Sequence, residues 1–345
     1  MARAYILMTA MPPTTGHLQL IQFAQLLADD GVSVIVCTQP HEPLATERVA
    51  ALRAAVAHHG LADVTIEHLH KTLEQDPAAP GFWDMWRELM LGFGITPSDI
   101  VVASEMYGQH LAEVSGAQFF PYDVGRDLNH AKATPVRNDP LSNFDDILPE
   151  FQPQLRTTVT VFGAESTGKT TLSRQLAREL GGHWLFEYAR PYLETTVNEI
   201  TPRSMTAIWK GQAALQHQVD NLPAKPYVIQ DTDLYSTVGY WQFPHWQKQL
   251  GACPAGLITD AAALKSDLYI VTKSNIPFEP DPLRYGGDVR EGSDDYWLDI
   301  CEQYELPYIV LETNDPAKRL RQATQAVRKV ARQKAQRIAY DRHGL

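Results

Sequence analysis

The chain has 345 residues, of which 44% are apolar, and a formal net charge of −11. That length suggests about two domains at roughly 150 residues each, and the apolar share is ordinary for globular protein with real cores. The acidic balance argues against a surface built for nucleic acid or an anionic membrane, so any phosphate must be held by local positive sites. Cys37, Cys253 and Cys301 are widely spaced and form no metal pattern; they read as reduced, mostly buried thiols of a cytoplasmic protein. The start, MARAYILMTAMPP, holds a short apolar run before prolines, which predicts a strand rather than a signal peptide or a membrane span.

In chain order, strands are predicted at Tyr5 to Met8 and Val32 to Cys37, with a helix from about Gly16 to Ala28 between them. A helix from about Thr46 to His58, a strand at Val64 to His68, a helix over Phe82 to Leu91 and a strand at Ile100 to Ala103 follow. This alternation predicts a doubly wound parallel sheet. The proline-rich, polar stretch from Asp139 to Gln154 reads as a domain junction. The expectation is therefore an α/β chain of two doubly wound parallel-sheet domains, residues 1–150 and 155–345.

The second series opens with Thr157 to Phe162, a β-branched run that reads as a buried parallel strand. Residues 161–172 then read VFGAESTGKTTL, and Thr171 to Leu180 has helical spacing. The pattern G-x-x-x-x-G-K-[ST], between a strand and a helix, is a phosphate-binding loop. Its members are Gly163, Ala164, Glu165, Ser166, Thr167, Gly168, Lys169, Thr170 and Thr171. The glycines let backbone N–H groups turn inward on ATP phosphates, Lys169 adds a point charge, and the Thr170 hydroxyl reaches Mg²⁺. Later strands are predicted at HWLF before Glu187, at Tyr227 to Gln230, Leu268 to Thr272 and Tyr308 to Leu311, with a last helix from about Pro316 to Tyr340. That helix carries Lys318, Arg319, Arg321, Arg328, Lys329, Arg332, Lys334 and Arg337; the plain reading is a solvated face, the other a nucleic-acid or membrane surface.

Two weaker signals lie in the first domain. Residues 12–18, PPTTGHL, place Gly16 and His17 at a helix start after a strand, where an anion can be held. A capping turn with a surface histidine explains the same residues. Residues 131–137, AKATPVR, offer Lys132, Thr134 and Arg137 to phosphate, or are a basic surface loop.

In this order, Thr14, Gly16 and His17, then Thr134 and Arg137, then GAESTGKT, the chain resembles the NadR family, the bifunctional nicotinamide mononucleotide adenylyltransferases and ribosylnicotinamide kinases. The similarity covers nearly the whole chain. SEMYG (Ser104 to Gly108), EYAR (Glu187 to Arg190), DTD (Asp231 to Asp233) and DPLRYGGDVR (Asp281 to Arg290) also look like family motifs. The chain departs from the pattern at Met8, where glycine is usual, at Lys132, where serine is usual, and at Pro135. Some family members carry a helix-turn-helix DNA-binding domain before the transferase; this chain starts in the first strand, so a repressor role is not expected.

For the kinase the resemblance implies ATP on the phosphate loop, Asp231 on Mg²⁺, and Asp233 on the riboside or the metal. It implies Glu187 as the proton acceptor or ribose ligand, Arg190 on substrate or phosphate, and Arg284 and Arg290 on a closing lid. For the adenylyltransferase it implies Thr14, His17, Thr134 and Arg137 on ATP. Trp83 or Trp86 would stack on nicotinamide, unless both are core, and Arg48 is a weaker substrate contact. The expected reactions turn nicotinamide riboside into nicotinamide mononucleotide, and the mononucleotide into NAD and pyrophosphate. One alternative is a kinase whose first domain only senses a nucleotide; another is a phosphate-loop kinase for a different nucleoside. No nucleic acid or membrane partner is expected, and a homo-oligomer is compatible with the sequence.

Overall fold

The computed structural model describes residues 1–125, 127–128, 133–196, 199–278 and 293–338. It divides into two compact units: Met1–Leu155 with a C-terminal piece beginning at Ala335, and Arg156–Lys334.

Unit 1 alternates β1 (Ala4–Met8), α1 (Thr15–Leu27), β2 (Val32–Thr38), α2 (Ala45–His58), β3 (Val64–His70), α3 (Phe82–Gly92), β4 (Ile100–Ala103), α4 (Tyr107–Ser115), β5 (Gln118–Pro121) and α5 (Ala133–Asn138). Its sheet is parallel, in the order β3-β2-β1-β4-β5, with Tyr5 opposite Ser33 on one side and Val101 on the other. Strand alternation divides the core. Ile6, Met8, Val34 and Val102 pack with Ile21 and Leu52 on one face; Tyr5, Ile35 and Val101 pack with Trp86, Met90 and Leu111 on the other.

Unit 2 repeats the scheme with β6 (Thr157–Phe162), α6 (Lys169–Leu180), β7 (His183–Leu185), α7 (Ala189–Thr195), α8 (Pro202–His217), β8 (Tyr227–Asp231), α9 (Leu234–Gln242), α10 (Pro244–Leu250), α11 (Ala255–Ala263), β9 (Leu268–Thr272), α12 (Ser293–Gln303), β10 (Tyr308–Leu311) and α13 (Pro316–Gln336). All five strands are parallel, in the order β10-β9-β6-β8-β7. Covered on both faces, β6 and β9 consist almost wholly of buried residues, which is why they read as unbroken apolar runs. The α/β, doubly wound expectation holds for both sheets.

Several details differ from the sequence reading. The helix α4 and the short strand β5, with its proline, carry little periodic signal and were not foreseen. Pro135 lies in the first turn of α5, where a missing N–H is not needed, so it suits a helix start rather than distorting a loop. On α13 the solvated face holds for Lys318, Arg321, Arg328, Lys329 and Arg332, and Arg337 just past it is exposed, but Arg319 is buried and Lys334 bonds Asp267 at 2.9 Å. The three cysteines are free thiols, Cys37 and Cys301 buried. Among the described residues no helix is long and apolar enough to cross a membrane.

Gly108 shows what the SEMYG stretch does. A Cβ there would lie 2.6 Å from Ala103 Cβ and 2.7 Å from Phe119 Cε2, so glycine lets α4 close onto β4 and β5. Gly108→Val is expected to destabilise unit 1 by about 1–3 kcal/mol through overpacking. Thermal unfolding of the variant should show a lower midpoint for unit 1 and an unchanged one for unit 2.

Candidate functional site

The phosphate loop of unit 2 is shaped by two glycines with positive φ. At Gly163 (φ 123°) a Cβ would meet Thr272 O at 2.6 Å; Gly168 (φ 85°) is the N-cap of α6. Both positions therefore need a residue without a side chain. Lys169 folds back on the loop, its Nζ donating to Gly163 O (3.1 Å) and Ala164 O (2.6 Å). The Thr167 hydroxyl donates to Ala164 O (2.9 Å) and lies 2.7 Å from the Thr272 hydroxyl, so it braces the loop from within. Behind it, the buried Arg319 donates from Nη1 to Thr167 O (2.7 Å) and from Nε to Thr313 O (2.7 Å).

Beside the loop is a cavity of about 390 Å³. Gly168, Lys169, Thr170, Glu187 and Arg190 line it together with the apolar Leu193, Ile200, Met205, Ile208, Tyr240 and Trp246. Strand register explains the carboxylates. Leu185 of β7 is opposite Gln230 of β8, so Glu187, just past β7, comes beside Asp231 at the end of β8. Burial pushes the Glu187 carboxyl up to about 7, helped by the Asp231 charge and opposed by Lys169 and Arg190. Burial also raises Asp231, while a hydrogen bond from Thr170 and the Lys169 charge pull the other way. The structure thus brings together Lys169, Thr170, Glu187, Arg190 and Asp231. Arg190 also pairs with Glu194 at 3.3 Å.

The donors here suit a hard divalent cation. Asp231 Oδ1 is buried without a hydrogen-bond partner, and the Thr170 hydroxyl is next to the same carboxylate. One carboxylate and one hydroxyl, with nucleotide phosphates filling the remaining positions, match how Mg²⁺ is held. Among the described residues no group of three or more His, Cys, Asp or Glu could form a protein-only cage.

Asp233 corrects the sequence reading. Its Oδ1 accepts from Tyr235 N (3.0 Å) and Ser236 N (3.3 Å), capping α9. Its Oδ2 accepts from the Tyr269 hydroxyl (2.6 Å) and the Thr160 hydroxyl (3.4 Å). With both oxygens used and 2% exposure, it belongs to the scaffold and has nothing left for substrate or metal. Arg284 and Arg290 lie outside the described residues, as does Lys132.

In unit 1, Thr14 caps α1. His17 Nδ1 accepts from Thr14 N–H (3.0 Å) and lies 2.7 Å from the Thr14 hydroxyl, which places the ring proton on Nε2. Thr14 is 1% exposed, so it orients His17 rather than reaching a ligand. Gly16 lies in the same first turn. Arg137 joins α5 to the loop after β1, donating to Met11 O (3.3 Å) and to the exposed Thr134 hydroxyl (3.4 Å). His17 and Arg137 are therefore both attached to the segment that leaves β1. Of three other candidates, two are structural, Arg48 and Trp86. Arg48 is fully buried, paired with Glu42 at 2.7 Å and donating to Thr9 O at 3.1 Å. Trp86 is core, and the half-buried Trp83 packs on His110 with ring centroids 4.4 Å apart.

Sequence reasoning missed Arg319, hidden in a basic helix, and the cavity wall from α8, α9 and α10, for which no motif exists. The only trace was a glutamine, Gln212, at helical spacing from Met205 and Ile208.

Two outcomes test these placements. Asp233→Asn keeps an oxygen to cap α9, so phosphoryl transfer should fall less than about tenfold, within the range of a lost hydrogen bond rather than a lost catalytic group. Glu187→Gln should make the ligand-free protein more stable at pH 8. The folded Glu187 carboxyl is raised, so its stabilising contribution is complete below its unfolded value and is lost as pH rises through about 7. The advantage of the variant, on the order of 1 kcal/mol, should therefore fade toward pH 5 in thermal unfolding.

The chain is similar in sequence and in fold to known proteins. The AAA domain family matches residues 158–319. The trifunctional NAD biosynthesis/regulator protein NadR of Escherichia coli (strain K12) is 24% identical over 261 residues, 73% of this chain and 62% of the relative. The protein of the same name from Salmonella typhimurium (strain LT2) is 30% identical over 118 residues, 33% of this chain and 29% of the relative. The matches thus span less than two thirds of either relative's length. A crystal structure of a NadR protein in complex with NR superposes with a TM-score of 0.68 at 23% identity, covering 95% of this chain and 96% of that one. A NadR structure with NAD and AMP-PNP gives a TM-score of 0.67, also at 23% identity, covering 96% of both chains. In sequence the chain is similar to the NadR proteins, and its fold matches that of the NadR structures.

Proposed function

We propose that the protein is an enzyme of NAD salvage with two activities, a ribosylnicotinamide kinase in unit 2 and a nicotinamide mononucleotide adenylyltransferase in unit 1. The observation that carries this reading is the meeting of Lys169, Thr170 and Glu187 along one cavity, with the Asp231 carboxylate next to Thr170 and Glu187. A phosphate loop alone supports phosphoryl transfer; a carboxylate of raised proton affinity next to it supports transfer to a hydroxyl. The identity of that hydroxyl, the 5′-hydroxyl of nicotinamide riboside, rests on NadR relatives whose structures hold NR, NAD and AMP-PNP.

In unit 2 the loop N–H groups hold the ATP phosphates, and Lys169 exchanges its two carbonyl partners for phosphate oxygens. Glu187 takes the proton of the 5′-hydroxyl, and Arg190 holds substrate or phosphate. Thr170 and Asp231 would hold Mg²⁺, which supplies charge neutralisation on the phosphates when bound. In unit 1 His17 and Arg137 hold the triphosphate while the mononucleotide phosphate attacks the α-phosphorus, releasing pyrophosphate. Positioning suffices for that step and no covalent nucleophile is needed.

One observation favours a second reading, in which unit 1 binds a nucleotide without turning it over. Met8, 7% exposed, fills the end of β1, where the NadR pattern leaves room with glycine. Purified protein given nicotinamide riboside and excess Mg²⁺-ATP distinguishes the readings by chromatography. NAD forming after a mononucleotide intermediate is the expected result. Mononucleotide without NAD would favour the second reading, and unconsumed riboside would remove the acceptor assignment.

The pH profile of the kinase follows from Glu187. A protonated carboxyl cannot accept a proton, so kcat/KM for the riboside should fall about tenfold per unit below about pH 7. Glu187→Gln should lower the rate by about 10²- to 10⁴-fold and flatten that limb.

A further inference from the structure

We propose that Gln212 is a specificity-determining residue of the kinase cavity, donating its side-chain amide N–H to a ribose oxygen of the acceptor. This rests on the kinase reading above. Gln212 lines the cavity and is 2% exposed. Its Oε1 accepts the backbone N–H of Tyr188 at 3.0 Å. That bond fixes which way the amide lies, because an N–H can be met only by the oxygen. The other end, Nε2, is buried and has no hydrogen-bond partner. A buried donor left unmet on a residue that lines a cavity calls for an explanation, and a ligand in that cavity supplies one.

The neighbours sharpen the assignment. Met205 and Ile208, at helical spacing on the same cavity-lining face of α8, are apolar. Gln212 is thus the polar group that this face brings to the cavity. With its acceptor used and its donor unused, it can read only a lone pair. The bond to Tyr188 holds the amide one residue from Glu187, the proposed acceptor of the 5′-hydroxyl proton. The oxygens nearest that hydroxyl are those of the sugar, not those of the base. The spacing is rigid: at Gly211 a Cβ would come within 2.0 Å of the Tyr188 ring, so α8 lies close against this segment.

The test is steady-state kinetics of Gln212→Met with nicotinamide riboside and its 2′-deoxy and 3′-deoxy analogues. The acceptor KM should rise about 3- to 15-fold, as for a lost hydrogen bond, while the KM for ATP stays put; the thermal midpoint falls, because Tyr188 N–H loses its partner. One deoxy analogue should be penalised with the wild-type protein and not penalised further with the variant. Gln212→Glu, assayed above pH 8, keeps an acceptor for Tyr188 N–H but lacks the donor, and should show the same KM split if the methionine variant folds poorly. An unchanged acceptor KM overturns the proposal, as do equal deoxy penalties in wild type and variant. So does a joint rise of both KM values, which would mark a scaffold role. If the wild-type protein does not phosphorylate nicotinamide riboside at all, the kinase reading itself fails, and that result is distinct from a normal wild type with an unaffected variant.

Discussion

Two carboxylates are held side by side in unit 2 where burial already disfavours their charge. Glu187 and Asp231 owe their closeness to the parallel pairing of β7 and β8, which aligns Leu185 with Gln230 and leaves both acidic residues at the carboxyl ends of neighbouring strands. In an open α/β sheet that end is where ligands bind. Burial raises the proton affinity of both, the Asp231 charge adds to it at Glu187, and Thr170, Lys169, Arg174 and Arg190 work against it. Much of the remaining architecture keeps this arrangement fixed: the glycine at 163, the brace at Thr167, and the cap that Asp233 places on α9.

What could be read from the sequence was what depends on short-range pattern. The phosphate loop needs a strand, two glycines and a helix within a few residues, and all are contiguous. The strands β1, β2, β6 and β9 declare themselves because both their faces are covered. The roles within DTD could not be read the same way. Asp231 and Asp233 differ in partner, not in local pattern, and the partner of Asp233 is Tyr269, on a strand elsewhere in the chain. Arg48 and Trp86 were ambiguous for the same reason. Whether an arginine meets a ligand or a buried Glu42 is decided by tertiary packing.

Unit 1 shows an intermediate case. The residues singled out by motif, Thr14, His17, Thr134 and Arg137, are tied to one another or to the loop after β1. Their division of labour came only with the structure. Thr14 and His17 form a reciprocal cap, which fixes the imidazole tautomer. Arg137 reaches the loop through Met11, a contact spanning 126 residues of sequence.

Arg319 has a consequence for how a nucleotide would be received. One buried guanidinium joins three loops: the phosphate loop at Thr167, the segment after β9 at Lys273 and Asn275, and the segment after β10 at Thr313. Segments tied to a common hub cannot sample many shapes independently. The conformational entropy that a free glycine-rich loop would surrender on gripping a phosphate has thus largely been given up during folding. A cationic side chain that never needs to touch the nucleotide makes its capture less entropically demanding.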